Sequence, residues 1–234
     1  MKPLAASRSE LDGVIVNIEL TLASIVQGLA LSVLADNTSS VLSNGVTTAW
    51  PYVAVAILII LLFWSRALIH TLTLIRWPLE FVHNFFYFIC VLVEVLAFKN
   101  LTDPFKWFAL NTVFAALVWG LFAHDLRIIR QRMRDSVGPS SFRLYAIVEA
   151  DQWKNIRFIM PGLFLFTGAS ALAIKMAPEF FVTNQGHLIL IGCQIIGLLF
   201  YLGYVVRAFT KITHLISAAR AEWLDDVEED VKTD

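Results

Sequence analysis

WPYVAVAILIILLFWSRALI, residues 50–69, is an unbroken apolar run whose one charge, Arg66, stands close to its end. Coiled as an α-helix, about 20 residues rise about 30 Å, the thickness of a bilayer's hydrocarbon core. Working outward, the chain repeats this pattern in blocks at 14–35, 79–98, 105–124, 157–177 and 187–209. Proline agrees with these limits: Pro51, Pro78, Pro104 and Pro161 fall in or near first turns, where a missing N–H costs nothing, and Pro178 follows the fifth block. With 58% hydrophobic and 16% charged residues, the chain has too little charge to coat a soluble domain. A transmembrane β-barrel needs short alternating segments, and none is present. The sequence therefore predicts an all-α, polytopic membrane protein with six transmembrane helices.

Charge sets the expected orientation. Of the 18 lysines and arginines, all but Lys99, Lys106 and Lys175 fall on one side of the six blocks, which the positive-inside rule places in the cytoplasm together with both termini. The first block is not read as a cleaved signal, because Glu10 and Asp12 precede it and Asn17 and Glu19 interrupt it. Residues 1–211 form the transmembrane domain, and 212–234 a cytoplasmic helical extension with the acidic, disordered tail DDVEEDVKTD. The stretch 36–48 reads as a polar connector that carries the sequon Asn37-Thr38-Ser39. The basic stretch 125–156, broken at Gly138-Pro139, reads as holding a helix that lies at the membrane interface. Cys90 and Cys193 lie inside apolar blocks and read as small core residues.

The first helix is the most polar. At 100° per residue, Asn17, Thr21, Ser24, Gly28 and Ser32 share one stripe, suited either to close helix packing or to the wall of a water-filled path. Glu19 lies nearly opposite. Ile18, Leu22, Ile25 and Leu29 form a neighbouring apolar stripe able to make a constriction. Elsewhere, His83, Tyr87 and Glu94 share a face of the third helix, and ionisable groups in a span point to function or to buried pairing. For Glu94 the plainer expectation is snorkelling to headgroups or pairing with Lys99 or Lys106. Arg66 and His70, one turn apart, are within reach of Asp12. No spacing matches a hydrolase, nucleotide-binding or metal motif, so no enzyme, cofactor, metal or nucleic-acid partner is expected.

Asp12-Gly13-Val14, the later Thr21-Leu22 and the second-helix ending Phe63-Trp64-Ser65-Arg66-Ala67-Leu68-Ile69-His70 resemble the endolysosomal potassium and proton channel family, in particular its prokaryotic single-repeat members. Where that family has Arg-x-x-x-Phe-Ser-Asp, this chain has Ala6 for the arginine and Glu10-Leu11 for Phe-Ser. The resemblance implies a homotetramer whose first helices surround a pore for potassium-like monovalent cations. It also implies that Asp12 steadies the first helix, with His70 or Trp64 as its hydrogen-bonding support. The expected protein is thus an oligomeric cation channel among the lipids of the cell membrane, or of an endolysosomal membrane in a eukaryote. The alternatives are a non-conducting sensing or adaptor subunit that recruits a soluble partner through its basic loop and acidic tail, and a proton-coupled transporter using Glu19, Glu94 or His83.

Overall fold

The computed structural model describes residues 3–74, 80–136 and 138–233, with side chains described for 11–74, 80–136, 138–219 and 221–222. Pro78 and Arg76 lie outside the described residues. The described elements are all helical: α1 Pro3–Ser43, α2 Trp50–Leu74, α3 Phe81–Phe98, α4 Pro104–Arg134, α5 Pro139–Lys154, α6 Met160–Met176 and α7 His187–Thr233. A 3-10 turn, Thr47–Ala49, leads into α2, and π turns at Asn155–Ile159 and Glu179–Thr183 follow α5 and α6. Six helical stretches are long and apolar enough to cross a membrane.

Several helices outrun their apolar blocks. α1 has 41 residues, about 60 Å at 1.5 Å each, so half of its length lies beyond the hydrocarbon. Residues 36–43, expected as connector, continue it because Asn37 and Thr38 donate back to the carbonyls of Val33 and Leu34 (2.8 and 2.7 Å). The sequon is therefore helical. α7 likewise runs through the acidic tail to Thr233, where disorder was expected. The helix expected after Gly138-Pro139 is α5, which passes into α6 through the π turn without leaving helical conformation and packs along α4 and α7. Its buried residues Ser141, Leu144, Tyr145, Val148 and Gln152 make one stripe that faces the bundle, while Phe142, Ile147 and Trp153 stay exposed.

α4 is the central element, packed against α3, α5 and α6, while α2 packs on α7 and on α1. α1 lies at the edge, against α2 and α3. Its buried positions Ile15, Glu19, Ala23, Val26, Ala30 and Leu34 recur at helical spacing and face the bundle. Of the two cysteines, Cys90 is buried as expected, whereas Cys193 is exposed on the outer surface.

The start of α5 is capped from a distance. Its N-cap residue is Gly138, which has no side chain to answer the first free N–H groups. Glu222 of α7 supplies the oxygens: it accepts from Ser140 N (2.8 Å), Ser141 N (2.9 Å) and Ser141 Oγ (3.1 Å). A Cβ at position 138 would collide with that carboxylate. Hydrogen bonds from Ser140 and Ser141 hold the Glu222 carboxyl down at about 2, against an ordinary value of 4.5. A depressed folded value means that the contact is complete above about 4.5 and is lost as pH falls towards 2. Glu222→Ala and Gly138→Val should each speed amide hydrogen exchange at Ser140–Phe142 several-fold at neutral pH, and unchanged protection would show that α5 holds its first turn without α7.

Candidate functional site

The polar groups inside the bundle fall into four sets. The densest joins α2, α3 and α4. Asp125 of α4 is buried and accepts from His83 Nδ1 of α3 at 2.8 Å, while His70 Nδ1 of α2 stands 3.4 Å from its other oxygen. The two imidazoles stack, with centroids 3.8 Å apart and planes within 2°. His70 Nε2 is buried with no hydrogen-bond partner among the described residues.

The three residues offer ligand atoms within 4.8 Å of one another, which is the spacing of a metal centre. The ring geometry argues against one as the side chains stand. A metal ion lies in the plane of each imidazole that binds it, and two parallel, separated planes share no such point. Holding an ion would require a ring to rotate out of the stack. As it stands, the set is a hydrogen-bonded clamp.

The second set lies one turn away. Arg66 donates to Asp151 Oδ2 (2.7 Å) and to Gln152 Oε1 (3.1 Å), and its guanidinium lies 5.1 Å over the Phe122 ring. Tyr204 Oη donates to Asp151 Oδ1 (2.6 Å), and Tyr201 Oη to Asn155 Oδ1 (2.7 Å). Gln152 Nε2 donates to the Phe122 carbonyl (2.9 Å). α2, α4, α5, the π turn and α7 thus meet on one ion pair and its hydrogen bonds.

The third set ties α1 to α3. Asn84 Nδ2 donates to Glu19 Oε1 at 2.7 Å, and Gln27 Nε2 reaches Glu94 Oε2 at 3.4 Å. At the end remote from Arg66, Tyr52 Oη meets His187 Nδ1 (2.8 Å) and Trp107 Nε1 donates to Gln194 Oε1 (3.2 Å), which links α2, α4 and α7.

Several expectations change. Glu94 is 1% exposed and faces Gln27, so it neither snorkels nor pairs with Lys99 or Lys106; Lys106 instead meets Asp103 at 3.0 Å. Arg66 and His70 join Asp151 and Asp125, where Asp12 had been the expected partner; Asp12 itself is half-buried on α1. Trp64 is exposed on the bundle surface, away from this network. His83, Tyr87 and Glu94 do share the buried face of α3. The small-residue stripe Asn17, Thr21, Ser24, Gly28 and Ser32 is exposed, and a Cβ at Gly28 would meet nothing within 4 Å, so this ladder packs against no helix among the described residues. Ile18, Ile25 and Leu29 are exposed beside it, whereas Leu22 turns partly into the core.

Asp125, Asp151, Gln152 and His187 were not foreseen. For Asp125 a signal existed: Leu121, Phe122, Leu126, Ile128 and Ile129 continue the helical period past the end assigned to the fourth block. Comparison with protein families, with curated proteins and with solved structures finds no match.

Removing the acceptor from this clamp strands two buried imidazoles. Asp125→Ala should lower unfolding stability in detergent by about 3–5 kcal/mol. The triple variant His70→Leu/His83→Leu/Asp125→Leu should recover much of the loss, since it leaves no buried polar group unanswered. Denaturant titration decides; a triple variant as weak as the single one would mean that packing at these positions, and not hydrogen bonding, supplies the stability.

Proposed function

We propose that the protein is an oligomeric, channel-like permeation protein for monovalent cations, potassium among them, with α1 lining the path between copies. One observation carries this reading: α1 has two opposed faces, of which one is fixed to α3 by amide–carboxylate bonds and the other, a polar stripe beside exposed Ile18, Ile25 and Leu29, is uncovered. In lipid, hydroxyl and amide groups at mid-span gain nothing from acyl chains, so a face holding Asn17, Thr21, Ser24 and Ser32 favours contact with water or with another copy. The neighbouring Ile18, Ile25 and Leu29 can narrow such a path by dewetting. Selection for cations is supported by charge, because residues 9–65 contain no lysine or arginine and do contain Asp12, Glu19 and Asp36. The family resemblance of the first and second helices favours a tetramer. The excess of positive residues at the Arg66 end favours a cytoplasmic position for that end and for both termini, in a cell membrane.

A second reading, proton-coupled transport, is favoured by the interior carboxyls and imidazoles of Glu19, His83, Asp125 and Glu94, which run along α3 and its neighbours.

Purified protein in sealed liposomes should pass potassium above an empty-liposome control, and Ile25→Ser and Leu29→Ser should raise the flux several-fold by wetting the narrow point. Native mass measurement in mild detergent should show a closed oligomer that Gly28→Leu weakens. Silence of wild type and both serine variants at all voltages and pH values, with monomer alone in the mass spectrum, would replace this reading with the non-conducting subunit. Flux that requires a pH gradient and is lost in Glu94→Gln would favour the proton-coupled carrier.

A further inference from the structure

Between α2, α4, α5 and α7, at the Arg66 end of the bundle, lies a cavity of about 340 Å³. Its walls are apolar, with Ile69, Leu74, Phe122, Ile129, Val148 and Ile212 contributing. Its charged lining is Arg66, Lys154, Arg207 and Lys211 against Asp125 and Asp151, four cations to two anions, or +2 with neutral imidazole at His70. Both carboxylates are already engaged, Asp151 by Arg66 and Tyr204 and Asp125 by the stacked histidines. Lys154, Arg207 and Lys211 are exposed, and their side chains make no hydrogen bond or ion pair among the described residues. The cavity mouth is therefore cationic and unanswered.

Two further features bear on the ligand. Arg207 and Lys211 are four residues apart on α7, so their side chains emerge on the same face one turn apart, and like charges so placed repel. An anion between them and Lys154 turns that repulsion into attraction. Depth also matters: Arg207 stands 20 residues beyond His187, where the apolar part of α7 begins, or about 30 Å along the helix. That distance is the thickness of the hydrocarbon core, which brings the three cations to the level of the lipid phosphates.

We infer that this cavity binds a phosphate-bearing anion, its phosphate held by Lys154, Arg207 and Lys211 at the mouth and its apolar portion lying along Ile69 and Phe122 on the hydrocarbon side. The matching chemistry is an anionic phospholipid, whose headgroup and acyl chain meet the two kinds of lining in the right order. Free phosphate shares the headgroup chemistry and lacks the apolar part. The site is separate from the exposed face of α1 and does not rest on the permeation reading.

Delipidated full-length protein in mild detergent, titrated separately with dioleoylphosphatidic acid, dioleoylphosphatidylcholine and inorganic phosphate and read by native mass spectrometry, tests this. Phosphatidic acid should bind at least tenfold more tightly than phosphatidylcholine. Arg207→Gln/Lys211→Gln and, independently, Lys154→Gln should reduce that preference to less than threefold, while Arg127→Gln/Arg134→Gln, whose residues are basic but outside the lining, should keep it. Inorganic phosphate that binds alone and competes with the lipid would support the phosphate site and identify its source as soluble. Equal binding of the two lipids, or equal loss in the Arg127/Arg134 variant, would overturn the assignment.

Discussion

A carboxylate does not stand alone in a lipid-embedded bundle, and the place of Asp125 therefore sets the place of three helices. Burial separates it from bulk solvent, so protein donors must come to it. They come from α2 and α3, as His70 and His83, which lie face to face against its two oxygens. This fixes α2 and α3 in register against α4 at the level of the Arg66 ion pair. The chain turns that same end of α2 to α5 and α7 through Asp151, so the two acids, one buried and one half-buried and 26 positions apart in sequence, are served from neighbouring turns of one helix. The apolar core fills the space between these points and does not choose the register by itself, since leucine, isoleucine and phenylalanine tolerate sliding more readily than a hydrogen bond of 2.7 Å does.

α1 is attached by the same means and more weakly. Its two polar links to α3 are the Glu19–Asn84 bond and the long Gln27–Glu94 contact, spaced eight residues apart on α1 and ten on α3. Glu19 lies opposite the serine and threonine stripe and Gln27 on its flank, so the bonds that hold the helix also orient what it presents outward. The proposed path between copies and the proposed phosphate cavity draw on different ends of this arrangement. One uses a face that the bundle leaves uncovered, the other a gap where helices diverge around engaged acids.

The number of helices was legible because twenty apolar residues in a row have few other uses in a chain this poor in charge. The two-faced character of α1 was legible for a similar reason: placing Glu19 opposite Ser24 and Gly28 needs only the helical period. Polar partners were harder to read. Pairing Arg66 with Asp12 was reasonable from depth alone, but Asp151 lay in a stretch read as a surface helix, and nothing local reveals that α5 stands against α4 and α7. Asp125 was missed by a boundary placed one residue before it. Glu94 was assigned to the headgroups because it is near a helix end, yet its azimuth on α3, shared with His83 and Tyr87, turns it inward. In a membrane bundle, azimuth and depth both decide a side chain's surroundings, and for Glu94 they disagreed.

The π turn at Asn155–Ile159 has a consequence for chain length. Counting at 100° per residue, the buried stripe of α5 (Ser141 to Gln152) and that of α6 (Met160 to Ile174) would be out of phase by about 80° if the rod were regular α-helix throughout. A π turn takes up one extra residue, worth about 100° of phase, and brings the two stripes almost into line. The rod can thus give Asp151 to Arg66 and Thr167 to Thr112 at once. The spare residue acts as a vernier between two halves whose interior partners lie in different layers of the bundle. A chain shortened by one between 156 and 159 could close that turn into regular α-helix and still hold the two stripes within about 20° of each other, so the spare residue can be lost without changing which side chains the rod presents.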